Sequence, residues 1–151
     1  SLKIIRSDGL LDCNIAIFGA SPPERSLDLG FPTHYLGRLD DVFSLVLAYS
    51  AADVFVAPSI QDNLPNTVME SLSCGTPCVA FNIGGMSEMI QHEENGYLAK
   101  PYDHFDLARG IDWVLSKSYE PCALRENSRR MVLAKFKIED IAKRYIEVYC
   151  G

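Results

Sequence analysis

A chain of 151 residues with 48% hydrophobic side chains is long enough to enclose the core of one ordinary domain. Its net charge of −6, with no lysine- or arginine-dense run and no basic stripe interleaved with aromatics, speaks against nucleic acid or anionic lipid as the main partner. Five cysteines, Cys13, Cys74, Cys78, Cys122 and Cys150, are an odd number in a sequence without a secretory signal or long apolar span, which points to reduced thiols and a cytoplasmic location. The pair in Cys74-Gly-Thr-Pro-Cys78 lacks the second ligand pair of a metal knuckle and reads as two small buried residues.

Apolar runs of strand length alternate with stretches of helical period, the pattern of βα units wound into a parallel sheet with helices on both faces. The expected fold class is therefore α/β, Rossmann-like, ending in several helices. Strands are expected over residues 14–18, 33–36, 53–57, 77–81 and 96–99, each bounded by Gly, Pro, Asn or Asp. Asp40 or Asp41 can cap a helix carrying Val42, Leu45, Val46 and Tyr49, and a second helix should run from Pro65 to Ser73, with Gly75 ending it. Beyond Lys100 the chain reads as helical: Leu107, Ile111, Val114 and Leu115 keep helical spacing, Pro121 opens a helix of its own, and Ile138, Ile141, Ala142, Tyr145, Ile146 and Tyr149 mark the last. No repeat or linker interrupts residues 1–151, so a single domain is expected. Only about a dozen residues precede the first clear strand, whereas a doubly wound sheet puts an early strand near its centre, so a partial domain lacking its first strand is expected.

The chemistry concentrates in one stretch. It opens with Ala57-Pro-Ser-Ile-Gln-Asp62, runs through Asn63-Leu-Pro-Asn-Thr-Val-Met-Glu70 and Ser71-Leu-Ser-Cys-Gly75, and closes on Thr76-Pro-Cys-Val-Ala-Phe81. Asp62 falls in a loop at the carboxyl end of a strand, where open α/β sheets hold their ligands. With Pro65 as the first helical position, the N–H groups of Asn66 and Thr67 have no intrahelical acceptor and make an anion site at the positive end of the helix. A diphosphate suits it, and Glu70, one turn along from Asn66, can accept hydrogen bonds from a pair of ribose hydroxyls. Spacing alone also allows a plainer structure, in which Asp62 caps a turn, Pro65 opens a helix and Glu70 is a solvated side chain.

This segment resembles the E-x7-E motif of the family-4 glycosyltransferases of the GT-B fold, with Asp62 as the first acid. Ser-Ala-Ala-Asp-Val-Phe-Val-Ala-Pro-Ser at 50 to 59 is similar to that family's approach strand, Phe81-Asn-Ile-Gly-Gly-Met-Ser-Glu88 to its Gly-Gly turn, and Glu93-Glu-Asn-Gly-Tyr-Leu98 continues the likeness. The match extends over most of the chain from Asn14 onward.

The resemblance implies a C-terminal donor-binding domain that takes a nucleotide-diphosphate sugar. With an N-terminal acceptor domain it would transfer the sugar, with retention, to a glycan or lipid-linked acceptor in glycan, polysaccharide or glycolipid biosynthesis. It puts the catalytic acids at Asp62 and Glu70, the donor's ribose at Glu70, its diphosphate at the amides of Asn66 and Thr67, and the transferred sugar at Asp62, Asn63 and Leu64. The nucleobase falls near Arg38, Leu39 and Asp41, although Asp41 reads equally well as a plain helix cap. Asp62 is one methylene shorter than the family's Glu, and Pro65 stands where many relatives have Gly. The family's Gly-Arg strand and nearby Lys are not found ahead of residue 14, and Lys3 and Arg6 are poor substitutes by position. No cofactor or metal is expected: there is no Asp-x-Asp, and His34, His92 and His104 are scattered.

Two further readings remain. One is a non-catalytic nucleotide-binding or interaction module on the same scaffold; the other is a sugar-nucleotide epimerase, which needs a histidine across its cleft. The motifs of Walker, G-x-G-x-x-G and G-x-S-x-G sites are absent. Gly84-Gly85 reads as a tight turn, and Met86, Met89 and Ile90 as core. A domain lacking its central strand could leave unpaired backbone or apolar surface and form a homodimer. The whole enzyme is expected to be cytoplasmic, peripheral at the inner membrane face through its other domain.

Overall fold

The computed structural model describes residues 13–23, 28–117 and 122–150. In chain order the elements are β1 (Ile15–Phe18), β2 (Thr33–Gly37), α1 (Val42–Ala51), β3 (Phe55–Ala57), α2 (Asn66–Ser73), β4 (Cys78–Phe81), α3 (Met86–Met89), β5 (Gly96–Ala99), α4 (His104–Lys117), α5 (Cys122–Lys135) and α6 (Ile138–Cys150). Every paired strand is parallel, as expected for an α/β unit, and the strands form two ladders, β1–β2 and β3–β4–β5. All five expected strands are present. The third is shorter than expected because its ladder begins only where Phe55 pairs with Cys78, leaving Asp53 and Val54 outside it. Lys3, Arg6, Pro121 and the region of any upstream strand lie outside the described residues.

β4 shows how the sequence builds the core. Its residues Cys-Val-Ala-Phe are all buried, and the two-residue period of a strand sends them to opposite faces. Val79 and Phe81 pack with Tyr97, Ala99 and the Leu107, Ala108, Ile111 and Val114 face of α4. Cys78 and Ala80 pack with Val68 and Leu72 of α2 and Met131 and Val132 of α5. The sheet is thus covered on both sides. Burial pushes the Cys78 thiol up to about 12, so it is an inert core atom.

The tight turn expected at Gly84-Gly85 is present and leads straight into the short helix α3. Met86 and Met89 are fully buried and Ile90 nearly so, which fills the core as their apolar character demands. Arg125 and Arg129 of α5 donate to the carbonyls of Ala52 and Ser73, both at 2.8 Å, and so cap the ends of α1 and α2. On α6 the apolar spacing is present, but Ile138, Tyr145, Ile146, Val148 and Tyr149 are all exposed. Among the described residues no helix is long and apolar enough to cross a membrane.

One buried carboxylate ties β5 to α4. Asp106 accepts from the Tyr97 hydroxyl (3.1 Å), the Lys100 N–H (2.8 Å) and Arg109 (3.1 Å). Burial alone would raise its pKa, but the Lys100 amide, the Tyr97 hydroxyl and the Arg109 charge outweigh it and hold the carboxyl below its ordinary value. A depressed folded pKa contributes stability that is complete above the unfolded value, near 4, and is lost as pH falls through the folded value. Asp106→Asn should therefore cost about 1–3 kcal/mol at pH 7. Urea unfolding at pH 7 and at stepwise lower pH should show the gap between the two proteins closing below about pH 4.

Candidate functional site

β3 ends at Ala57, and residues 58–65 leave from the carboxyl end of this parallel strand before α2 begins. Pro65 is the cap of α2 rather than its first helical residue. Its ring fixes φ at −66°, a value shared by helix and extended chain, and ψ of 123° makes it extended. Proline offers neither an N–H nor a side-chain oxygen, so no side chain caps α2, and its first turn holds no acidic residue. Val68 and Met69 turn their N–H groups back to the Pro65 carbonyl, at 3.1 and 3.4 Å. Among the described residues the N–H groups of Asn66 and Thr67 have no acceptor. Both residues are exposed, so two donors at the positive end of a helix face solvent together.

Glu70 lies one turn further on. Its Oε2 accepts from the Tyr49 hydroxyl at 3.0 Å. Tyr49 is only 2% exposed; burial, and then the hydrogen bond to Glu70, push its phenol far above the ordinary value, so it stays a neutral donor. The Tyr49 carbonyl accepts from Thr76 Oγ1 at 2.6 Å, and its ring sits edge-on to Phe18 and Phe55, each 5.4 Å away. Nothing in the sequence pairs Tyr49 with an acid 21 residues on, and its helical spacing marked it only as core.

Asp62 accepts from the Asn63 N–H at 2.8 Å and lines a cavity of about 540 Å³ with Ile60, Gln61, Asn63, Ile83, Gly84 and Tyr102. Leu64, Asn66, Thr67 and Glu70 lie beyond its walls, along the start of α2. Gly84-Gly85 is more than a turn. The Gly85 N–H donates to the Asn63 carbonyl at 2.7 Å, and a Cβ on Gly84 or Gly85 would run into the carbonyl oxygen of Asp62 or Asn63. Only glycine lets the two backbones approach so closely.

The 38–41 loop precedes α1. Arg38 pairs with Asp40 at 2.6 Å with both side chains largely in solvent, an arrangement worth little to stability. Asp41 takes the capping role left open for it: its Oδ1 accepts from the Ser44 N–H at 2.8 Å, and bonding to Ser44 lowers its pKa. Leu39 is half-buried. No hydrogen bond among the described residues joins this loop to segment 62–70; α1 reaches that segment through Tyr49. His34 pairs with Asn14 Oδ1 at 3.2 Å, and His92 Nδ1 accepts from the Leu98 N–H at 3.1 Å. Among the described residues no group of three or more His, Cys, Asp or Glu could hold a metal ion.

An α/β unit with an open helix start at the carboxyl end of a parallel strand is the architecture of a phosphate- or nucleotide-binding module. The chain belongs to the family described as glycosyl transferases group 1, whose model matches residues 23–131. It is 35% identical to a glycosyltransferase of Methanocaldococcus jannaschii over 67% of the chain and 26% of that protein. It is also 35% identical to a sulfoquinovosyl transferase of Arabidopsis thaliana, over 76% of the chain and 24% of the relative. The chain thus spans about a quarter of the length of these two proteins. Among solved structures, sucrose-phosphate synthase from Thermosynechococcus elongatus superposes with a TM-score of 0.77 at 31% identity, over 89% of this chain and 37% of that one. The fold is that of one part of a GT-B glycosyltransferase, and an Anabaena protein solved with UDP shares it with a TM-score of 0.71 at 24% identity, over 81% of this chain and 34% of its own.

Tyr49→Phe keeps the buried ring but removes the donor to Glu70, and should cost about 0.5–1.5 kcal/mol in urea unfolding. Gly84→Ala forces a methyl against the Asp62 carbonyl and should cost about 1–3 kcal/mol in the same assay.

Proposed function

We propose that this chain is the donor-binding part of a retaining family-4 glycosyltransferase of hexosyltransferase type, and that the rest of a longer protein binds the acceptor. The observation that carries the reading is the uncapped start of α2, with two N–H donors that have no acceptor among the described residues and, one turn on, a carboxylate held by a buried tyrosine. The donor's diphosphate sits on the Asn66 and Thr67 amides, where the helix dipole stabilises negative charge as it develops on the leaving group. Glu70 accepts from the ribose hydroxyls, Asp62 and Asn63 hold hydroxyls of the transferred sugar with Leu64 beside them, and the base lies toward Arg38, Leu39 and Asp41.

In the reaction the bond from the anomeric carbon to the diphosphate oxygen breaks. The acceptor oxygen bonds to the same face of the sugar, and the acceptor's proton passes to the departing diphosphate. We assign no metal to this step. Relatives named for sugar transfer support the reading, among them N-acetyl-alpha-D-glucosaminyl L-malate synthase of Bacillus anthracis, 28% identical over 76% of the chain and 29% of its own length. In this reading the acceptor is a glycan or a lipid-linked molecule and the reaction is cytoplasmic.

Calorimetric titration with UDP, GDP, ADP and their glucose conjugates tests it. Saturable binding of one nucleotide that Glu70→Ala weakens by about tenfold or more is the expected result. No binding of any nucleotide, by this chain and by the full-length protein alike, would sink the proposal.

A further inference from the structure

At the end of β5 the chain makes a tight turn in which the Asp103 N–H donates to the Lys100 carbonyl at 3.1 Å. Pro101 takes the second position, which suits its fixed φ. Tyr102 takes the third with φ of 63°, a left-handed backbone that such turns normally give to glycine and that a bulky residue adopts only under strain. A strained residue persists where something else requires its side chain.

Packing does not supply that requirement. Tyr102 is 65% exposed, its hydroxyl is a long 3.4 Å from the Ile60 carbonyl, and its ring centroid stands 6.4 Å from that of Phe81. What the ring does is line the cavity that also holds Asp62 and Asn63. That cavity has walls of two kinds: Gln61, Asp62 and Asn63 are polar, whereas Ile60, Ile83 and Tyr102 offer hydrocarbon and an aromatic ring. A pyranose is divided in the same way, with hydroxyls around its rim and a C–H face whose slightly positive hydrogens suit the negative face of an aromatic ring.

Resting on the donor reading above, we propose that Tyr102 is a specificity-determining residue whose ring packs against the C–H face of the transferred sugar while Asp62 and Asn63 hold its hydroxyls. The backbone strain at Tyr102 is the cost of presenting the ring there.

The test uses the full-length protein, its Tyr102→Gly and Tyr102→Phe variants, and the same panel of UDP, GDP, ADP and their glucose conjugates, with melting temperatures alongside. Tyr102→Gly should bind the free nucleotide within about twofold of the parent and its glucose conjugate about tenfold or more weakly. Its melting temperature should equal or exceed the parent's, since glycine relieves the turn. Tyr102→Phe should keep the preference for the conjugate. Equal losses on both ligands, no loss on either, or a lower melting temperature for Tyr102→Gly would overturn the assignment while leaving the donor reading intact. Failure of the parent to bind any nucleotide would instead overturn the donor reading, and this inference with it.

Discussion

A helix start must find acceptors for its first N–H groups or present them to something outside the protein. At α2 the residue in the capping position is a proline, whose side chain can neither accept nor donate there, and the first turn carries no acid. The opposite face of the helix leaves no freedom to turn away, because Val68, Ser71 and Leu72 are completely buried. The open end is therefore a fixed electropositive point rather than a fraying terminus. The other site residues are arranged around it: the loop carrying Asp62 and Asn63 leads into it, and Glu70 follows one turn later.

Two buried anchors hold that arrangement from behind. Tyr49 delivers its hydroxyl to Glu70 from within the core, and Thr76 grips the Tyr49 backbone at 2.6 Å. On the other side α3 is pinned by Met86 and Met89, and the glycine pair just before it is hydrogen-bonded to the Asn63 carbonyl. A loop of polar residues is thereby given the precision of the sheet, which a site requires if its polar groups are to stay in place without a ligand.

What the sequence made legible and what it concealed divide along physical lines. Strands such as Cys78-Val-Ala-Phe81 announce themselves because burial on both faces demands a continuous apolar run. The helix start at Pro65 was legible to within one residue, since proline fits both the cap and the first turn and only ψ separates them. Asp41 stayed ambiguous because a capping carboxylate and a ligand-binding one look alike in sequence. Tyr49 was hidden by its own apolar context, and the strained backbone of Tyr102 by the absence of the glycine that would have marked the turn. Contacts between distant segments, such as Gly85 with Asn63, have no local signature at all.

The fold and the site meet at one cluster of rings. β1 and β3 belong to separate hydrogen-bonded ladders, and the side chains of Phe18 and Phe55 cross the junction with centroids 6.3 Å apart. Both rings abut Tyr49, whose hydroxyl holds Glu70. Edge-to-face aromatic packing is directional, so the position of each ladder is felt as the orientation of the Tyr49 ring. The carboxylate proposed to hold the ribose is thus aimed by the packing between the two ladders, and a shift of either ladder that left every strand intact would still be read out at Glu70.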